Sequence, residues 1–416
     1  MFGNQSSIVR NMKLYPLFSM AALCLLFSCK SETNTDVIRL DGTFDDNFLE
    51  SWEYILLEDD NLDAELGIIN YGIQYDDGLF FVHSHFNKNT TIKVFDRSGR
   101  YLNNIGRLGR GRNEVLTLEK WILDRDKNEV LIAQSFGHPS TVTIKHYDYA
   151  GNYLGQTVTD TLDENCVMMD MSKMTSDGTL IIQDNIIHNN PSHDYFNINK
   201  DGSISTPLDM QEYHLNQGFF FDIVEFSMSG AITSDNSGGK QTTIGIFNQY
   251  SDTTYVIRKM DNHIYRLYGD KSDCIAKLSF MPDAPEKMKK GIEMEDDEFY
   301  SYCLGYFMDM KNYMFIGNYE DNYIFDKESS KIYRIEPDTI YAKFPDHRLA
   351  SVYGNDIIAF VDVESIQEAL ERINNKDYDH RYTPEVEAFY RKAKDCKNPP
   401  IIIGHYKSSI KASKLH

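Results

Sequence analysis

The chain has 416 residues, of which 41% are hydrophobic and 25% charged, and its formal net charge is −21. These proportions are those of an ordinary globular protein, and they exclude a disordered chain, a collagen, a coiled coil and a polytopic membrane protein. The acidic excess argues against a nucleic-acid partner, because binding that ignores sequence needs a basic surface to displace counterions.

The N-terminus has the order of a secretory signal. Arg10 and Lys13 form a basic start, the apolar stretch of residues 17–27 follows, and the first acidic residue is Glu32. The apolar stretch is too short to span a bilayer, which favours a signal peptide over a transmembrane helix. We therefore predict that residues 1–28 are removed from the mature protein.

The signal ends in Leu26-Phe27-Ser28-Cys29, which resembles the lipobox of bacterial lipoproteins. The resemblance implies that Cys29 is acylated and becomes the new N-terminus, whereas the alternative is a plain signal with a chance cysteine. Several acyl chains would anchor the protein stably, since each buried CH₂ contributes about 0.8 kcal/mol. Lys30 stands where Asp would retain a lipoprotein in the inner membrane, so we expect the outer membrane of a Gram-negative bacterium. The sequence leaves open whether the protein faces the periplasm or the surface.

The remaining cysteines are far apart and irregularly spaced. They are Cys166, Cys274, Cys303 and Cys396. Disulfides can form in an exported protein, and four cysteines allow three pairings. The absence of a C-x-x-C motif from the sequence argues against a zinc site, and the pattern favours buried thiols.

Residues 29–50 are predicted to be the lipidated cysteine and a polar tether, and residues 51–416 a single domain. One unit recurs along that domain: an alternating strand, then Asp or Asn, a turn with Gly, and a second strand. Its copies are residues 92–102, 144–154, 195–204 and, without the Gly, 323–333. Each copy predicts a β-hairpin whose turn needs a residue with positive φ.

Other hairpins are predicted between these copies, at residues 73–82, 122–132 and 174–182. Two hairpins in roughly 50 residues make a four-stranded antiparallel sheet, which is the size of a β-propeller blade. The mature length corresponds to six or seven such blades. We predict an all-β, six-bladed β-propeller, because helical insertions take up part of the C-terminal half.

A high density of Lys, Glu and Met predicts one insertion at about residues 285–307, and helical spacing of apolar residues predicts another over 362–373. Thr383, followed by Pro384 at a tolerated first position, predicts a third helix from there onward. The run at 400–407 is predicted to be the closing strand, and residues 51–57 are predicted to lie in the same last blade. Such closure pairs the two ends of the domain and removes an exposed sheet edge.

Four stretches then resemble a known family, the bacterial six-bladed β-propeller lipoproteins, which are similar to NHL-repeat propellers and mostly of unassigned function. The stretches are residues 54–58, 92–114, 251–255 and 398–403. The glycine-rich tail at 106–114 is the most specific, although Arg112 and Asn113 stand where the family usually has Gly-Pro. The resemblance implies the propeller fold and transfers no catalytic residue.

The glycine-rich tail contains the densest basic cluster of the chain, Arg107, Arg110 and Arg112. It lacks the G-K-[ST] of a P-loop and opens no clear helix, so a nucleotide site is not indicated. The three arginines are candidates for binding an anionic ligand. The simpler interpretation is a connection between blades, in which the glycines allow close packing and the arginines pair with nearby acids.

No metal or cofactor is predicted. Residues 124–128 begin like a calcium loop but lack the Gly at position six and the Glu at position twelve, which indicates a hairpin turn. His83 and His85 lie on one strand face without an identifiable third ligand, so we interpret them as a solvated or inter-blade pair. Neither H-E-x-x-H nor G-x-S-x-G occurs in the sequence.

These observations predict a binding or scaffolding module for a glycan, a peptide or an envelope protein. The alternative is a propeller enzyme, a lyase or a hydrolase, with a polar site at the central channel. The two differ in whether the ends of the inner strands bring His, Asp, Glu or Arg side chains within hydrogen-bond distance.

Overall fold

The structure is a computed structural model, and it describes the following residues: 36–38, 40–44, 49–67, 69, 72–86, 89–118, 120–136, 141–159, 168–174, 178–184, 195–205, 244–246, 253–257, 263–268, 271–278, 304–318, 322–335, 347–376 and 382–409. The predicted signal peptide and Cys29 lie outside them. Two compact units are distinguished, residues 1–36 and 37–416, and nearly all of the described residues belong to the second.

The described residues form 26 strands and two helices. The strands are β1 (Asp36–Ile38), β2 (Leu40–Phe44), β3 (Leu49–Ile55), β4 (Ile73–Asp76), β5 (Leu79–Phe86), β6 (Asn89–Asp96), β7 (Tyr101–Ile105), β8 (Lys120–Asp124), β9 (Glu129–Phe136), β10 (Thr141–Asp148), β11 (Tyr153–Val158), β12 (Met168–Met174), β13 (Leu180–Asp184), β14 (Tyr195–Ile198), β15 (Ile204–Ser205), β16 (Ile244–Ile246), β17 (Thr254–Ile257), β18 (His263–Tyr268), β19 (Lys271–Leu278), β20 (Leu304–Asp309), β21 (Tyr313–Asn318), β22 (Asn322–Asp326), β23 (Lys331–Ile335), β24 (His347–Tyr353), β25 (Asp356–Val361) and β26 (Ile401–Tyr406). The helices are α1 (Val363–Asn374) and α2 (Pro384–Ala393).

The strands assemble into a propeller-like series of sheets built from consecutive antiparallel strands. In strand order they are sheet I (β4-β5-β6-β7), sheet II (β8-β9-β10-β11), sheet III (β12-β13-β14-β15), sheet IV (β17-β18-β19-β1), sheet V (β16-β20-β21-β22-β23-β2) and sheet VI (β24-β25-β26-β3). Neighbouring sheets contact one another, since β4 of sheet I contacts β24 of sheet VI, β8 of sheet II contacts β12 of sheet III, and β17 of sheet IV contacts β20 of sheet V. The all-β prediction is confirmed.

The hairpins predicted from the sequence are present. The four repeat copies correspond to the pairs β6–β7, β10–β11, β14–β15 and β22–β23. The turn glycines have the expected left-handed backbone, with φ of +85° at Gly99, +87° at Gly151 and +86° at Gly202. Ser330 has φ +54° in the copy that lacks Gly. The turn chemistry read from the sequence is therefore confirmed in all four copies.

An aspartate at the end of the third strand stabilises the first of these turns. Asp96 Oδ1 accepts hydrogen bonds from the Ser98 hydroxyl (2.6 Å), the Ser98 N–H (2.9 Å) and the Arg100 N–H (3.1 Å). The Ser98 hydroxyl contributes most, and together these donors lower the pKa of Asp96. The repeated Asp is thus a turn-forming residue rather than a ligand.

The turn glycines also set how closely neighbouring sheets approach. A Cβ added at Gly151 of sheet II would lie 2.6 Å from the carbonyl oxygen of Asn104 in sheet I. A Cβ at Gly202 of sheet III would lie 2.6 Å from the carbonyl oxygen of Val158 in sheet II. Gly99 of sheet I meets the carbonyl of Leu56, just after β3 of sheet VI, in the same way. Only glycine fits, because no side chain fits at the contact and φ is positive.

The two ends of the domain pair as predicted. β26 runs antiparallel to β3, with Ile401 opposite Ile55 and His405 opposite Ser51. The fully buried Asn398 reinforces this closure: its amide nitrogen donates to the carbonyls of Glu58 (2.6 Å) and Ala64 (3.0 Å). The chain ends are therefore held by both a strand pair and a side-chain bridge.

The two helices lie between β25 and β26 and cover sheet VI. Their buried residues are Ile366, Ala369, Leu370 and Ile373 in α1 and Val386, Phe389, Tyr390 and Ala393 in α2. Phe389 packs on Trp52 and Tyr54 of β3, with ring centroids 6.0 and 4.4 Å apart. The Thr383 hydroxyl caps α2 by accepting a hydrogen bond from the Val386 N–H (3.3 Å). The helices predicted over 362–373 and from Thr383 onward are confirmed.

Three details differ from the sequence-based expectation. Residues 304–307, assigned to the end of a helix, belong to strand β20, whereas residues 279–303 lie outside the described part of the chain. Within the expected tether, residues 36–38 and 40–44 are strands β1 and β2. Sheet V has six strands because β16 and β2 add to its two edges in parallel. Short segments that pair with a distant edge carry little local signal of their partner.

Neither α1 nor α2 has the length and apolar content that crossing a bilayer demands, and the described residues contain no other helix. Cys274 and Cys396 are free thiols of intermediate burial. Burial raises the pKa of Cys396. Cys166 and Cys303 lie outside the described residues.

We expect the inter-sheet contact of Gly151 to be measurable by comparison with Gly78, which has φ +80° but no atom within 4 Å of its Cβ position. Gly78→Ala should cost only the left-handed backbone penalty, about 1–2 kcal/mol. Gly151→Ala should cost a further ~1–3 kcal/mol because the methyl group overpacks the sheet interface. Urea unfolding of both variants measures the difference, and equal losses would contradict the packing role.

Candidate functional site

The three arginines singled out in the sequence lie together on the connection from β7 to β8, which we call the basic loop (residues 106–114). Arg107, Arg110 and Arg112 are all exposed. Among the described residues, no carboxylate forms an ion pair with any of the three guanidinium groups. The pairing with nearby acids that the simpler interpretation expected is therefore not seen in this part of the chain.

The glycines of the basic loop are shaped around a carboxylate of the chain itself. The Gly111 N–H donates to Glu114 Oε2 (2.7 Å), and a Cβ at Gly109 would collide with the same carboxylate. The loop closes on itself because the Val115 N–H donates to the Arg107 carbonyl (2.9 Å). The Glu114 carboxylate thus fills the space that a side chain at Gly109 or Gly111 would need.

Two buried side chains of β10 hold the basic loop from below. Lys145 Nζ donates to the carbonyls of Arg112 (3.0 Å) and Glu114. The Tyr147 hydroxyl donates to the carbonyl of Asn113 (3.1 Å). Burial lowers the pKa of Lys145 and raises the pKa of Tyr147 to about 12. The backbone of the loop is therefore fixed, while the guanidinium groups extend into solvent.

The equivalent lysine of sheet I does the same for the preceding connection. Lys93 is 4% exposed, and its Nζ donates to the carbonyl of Asp63. Asp63 belongs to residues 58–63, which we call the acidic loop because it carries four carboxylates and no basic residue. The sequence signal for these two anchors is the Ile-Lys pair at the same position in both repeat copies, Ile92-Lys93 and Ile144-Lys145. The sequence-based prediction missed it.

A buried ion pair joins sheets I and II at the ends of β4 and β8. Arg125 Nε lies 3.4 Å from Asp76 Oδ1, and the two side chains are 10% and 3% exposed. Arg125 also donates to the Tyr75 carbonyl (3.0 Å), and the Tyr149 hydroxyl donates to Asp76 Oδ2 (2.6 Å). Inner-strand ends do bring acid and base together here, although the charged groups are bonded to one another.

Related joints recur at the residue that follows β6, β10 or β22, each of which is the third of four consecutive antiparallel strands. Tyr149 of sheet II reaches Asp76 of sheet I. In the same position Arg97 of sheet I pairs with Glu53 of sheet VI. Lys327 of sheet V pairs with the fully buried Asp309 and lies 4.5 Å from the ring centroid of Tyr255 in sheet IV. The repetition indicates a packing role for the Asp76–Arg125 pair.

The two segments that were weighed as metal sites, His83–His85 and residues 124–128, make contacts within the protein. His83 is buried, and its burial lowers the pKa of the imidazole to about 4, whereas the exposed His85 bonds the Thr90 hydroxyl (2.7 Å). Residues 124–128 form the predicted hairpin turn between β8 and β9, in which Asp124 pairs with Lys127 (2.7 Å). Among the described residues, no three His, Cys, Asp or Glu side chains converge on a metal position.

Comparison with known proteins identifies one family and several solved structures that are similar to this chain. The sequence model of the domain of unknown function DUF4934 matches residues 41–405. A solved exported protein from Bacteroides fragilis is 14% identical, with a TM-score of 0.59 over 89% of this chain and 99% of that one. A DUF4221 member from Bacteroides vulgatus is 9% identical (TM-score 0.47, 87% and 98% covered). Curated proteins gave no match.

The likeness to the Bacteroides fragilis protein supports the propeller-like fold alone, because the identity is low. A periplasmic gluconolactonase from Pseudomonas aeruginosa is 13% identical, with a TM-score of 0.34 over 70% of this chain and 81% of that one. That similarity is too weak to carry an argument about activity. The role of the chain has to be argued from its own residues.

We expect Lys145→Met to loosen the basic loop and leave the acidic loop unchanged. The variant removes the donor that two loop carbonyls share, and each unsatisfied buried carbonyl costs about 1–3 kcal/mol. Amide exchange at Gly109 and Val115 should then become at least about tenfold faster. Lys93→Met is the matched control and should act on the acidic loop instead. Equal exchange in both variants would show that neither lysine anchors its loop.

Proposed function

The chain belongs to the DUF4934 family, and from that premise we propose that it is a lipid-anchored, six-bladed β-propeller that acts as a binding or scaffolding module of the outer membrane. Its ligand is a glycan, a peptide or an envelope protein. Cys29 carries the lipid, and Arg107, Arg110 and Arg112 bind the anionic part of the ligand.

The six blades are supported by the six sheets and by the joints between successive sheets. Gln74 of sheet I donates to the Trp121 carbonyl of sheet II (3.2 Å), and Asn355 of sheet VI accepts from the Asn312 N–H of sheet V (3.1 Å). The pairing of β26 with β3 places the first and last parts of the domain in one sheet. Those features are what a closed ring of blades requires.

The basic loop is the observation that carries the binding role. In a chain of net charge −21, it presents three exposed guanidinium groups without ion-pair partners among the described residues. Lys145 and Tyr147 fix its backbone in advance, which lowers the entropy lost on binding. Arginine is also the side chain best suited to pair with carboxylate or phosphate groups.

The alternative function, a lyase or hydrolase, would use the cluster of Asp76, Arg125 and Tyr149. Asp76 and Arg125, at the ends of the first strands β4 and β8, lie within ion-pair distance, and the Tyr149 hydroxyl donates to Asp76. They are bonded to one another and nearly buried, and the residue equivalent to Tyr149 also contacts a neighbouring sheet in sheets I and V. Binding at the basic loop is therefore the better supported function.

We expect the triple variant Arg107→Gln, Arg110→Gln, Arg112→Gln to lose binding of anionic polymers while keeping its stability. Labelled polyglutamate and polygalacturonate serve as peptide and glycan probes in fluorescence anisotropy, and neutral dextran tests for charge dependence. The affinity should fall at least about tenfold, because the variant removes three exposed positive charges that attract the anionic polymer. Lys200, Lys271 and Lys311 are also exposed, and their Gln variants are the control. Unchanged affinity in the arginine variant would remove the basic loop as the site.

We expect Cys29→Ala to release the protein from membranes, because a protein without acyl chains loses its anchor. Cys24→Ala, five residues earlier in the apolar stretch, is the matched control and should stay in the membrane fraction. Fractionation and radiolabelled palmitate incorporation measure the two effects. Membrane retention of the Cys29 variant would contradict the lipoprotein assignment.

A further inference from the structure

The acidic loop and the basic loop occupy equivalent places in neighbouring sheets. The acidic loop follows β3, the last strand of sheet VI, and leads toward β4, the first strand of sheet I. The basic loop follows β7, the last strand of sheet I, and leads toward β8, the first strand of sheet II. Connections of the same kind lie on the same face of a propeller. By this topology, opposite charges lie on one face, at two successive connections between sheets.

The acidic loop is held as firmly as the basic loop. Glu58 accepts a hydrogen bond from the Tyr101 N–H (3.0 Å), and Asp59 accepts one from the Lys397 N–H (2.6 Å). Asp60 and Asp63 remain exposed, and no ion pair joins either carboxylate to another described residue. The backbones of both loops are thus held in place, and their exposed charges are available to a partner.

An exposed leucine accompanies each loop. Leu62 is 70% exposed within the acidic loop, and Leu116 is 50% exposed just after the basic loop. Large apolar side chains standing beside unpaired charges are typical of contact surfaces with a mixed core and rim. A uniformly anionic glycan would meet repulsion from Asp60 and Asp63, so the face as a whole favours a partner that carries both charges.

We propose that this face binds a second copy of the same chain. A two-fold axis between the loops would set the acidic loop of each copy on the basic loop of the other, and it would bring the leucines into the contact. Self-complementarity follows from the arrangement itself, since each copy supplies both the charge and its counterpart. The proposal rests on the proposed binding role of the basic loop and names its partner.

The net charge of −21 opposes association of two copies. This repulsion acts over longer distances than the attraction between the oppositely charged loops. At physiological ionic strength the Debye length is about 8 Å, so charges across the whole molecule are largely screened. Pairs in direct contact at the loops are screened much less. A reversible dimer whose formation depends on the two loops is the expected result.

Charge reversal tests the proposal. The protein is the mature chain with Cys29→Ala, and sedimentation velocity gives its oligomeric state. Arg107→Glu, Arg110→Glu, Arg112→Glu makes both loops acidic, and Asp60→Lys, Asp63→Lys reverses the exposed charges of the acidic loop. Each variant alone should be monomeric, with the dimer dissociation constant raised at least about tenfold. A 1:1 mixture of the two variants should restore the dimer.

Lys200→Glu, Lys271→Glu, Lys311→Glu is the control and should leave the dimer intact, since these residues lie outside both loops. Circular dichroism confirms that each variant is folded. A dimer that survives either reversal, or a mixture that stays monomeric, would overturn the proposal. Wild type that binds polyglutamate but sediments as a monomer would overturn the proposal and leave the proposed function standing. Wild type that does neither would remove both.

Discussion

The contact between a turn glycine and the backbone of the preceding sheet is the constraint on which the rest of the structure depends. At Gly99, Gly151 and Gly202, the left-handed backbone turns the chain between the third and fourth strands while a carbonyl of the neighbouring sheet fills the space of a Cβ. Backbone therefore meets backbone, and the separation of the sheets does not depend on which side chains fill the core. These glycines recur 52 and 51 residues apart along the chain, because each repeat needs one at this contact.

Much of the fold was predictable because its signals are local. Period-two alternation and turn glycines predicted the hairpins, such as β6–β7 and β10–β11, and Pro384 at a first helical position predicted α2. The signals that failed were not local. Nothing within Leu40–Phe44 specifies a parallel partner in β23, and nothing within Ile244–Ile246 specifies β20. Strand β20 begins where a helical pattern was expected to continue, because burial in a sheet overrides propensity at such boundaries.

The candidate site likewise contains residues that could be predicted from the sequence and contacts that could not. The three arginines stand out in the sequence because they lie close together on one loop of an acidic chain. Their supports do not, since Lys145 and Tyr147 are more than 30 residues away from the carbonyls they bind. The pairing of Asp76 with Arg125 also joins residues 49 positions apart, on strands of two different sheets. Predicting these contacts requires knowing which sheets are neighbours, and that appears only in three dimensions.

The joints behind the third strands carry a consequence for how such a protein can evolve. The crossing residue is an arginine in sheet I, a tyrosine in sheet II and a lysine in sheet V, and each meets a different group: Glu53, Asp76 and the Tyr255 ring. A duplicated or transplanted blade would keep its shape and its turn glycine, yet it would arrive beside a neighbour with the wrong chemistry. Blades of similar shape thus each match the contact residues of one particular neighbour. Gene rearrangements that shuffle them should survive only when donor and acceptor joints are exchanged together.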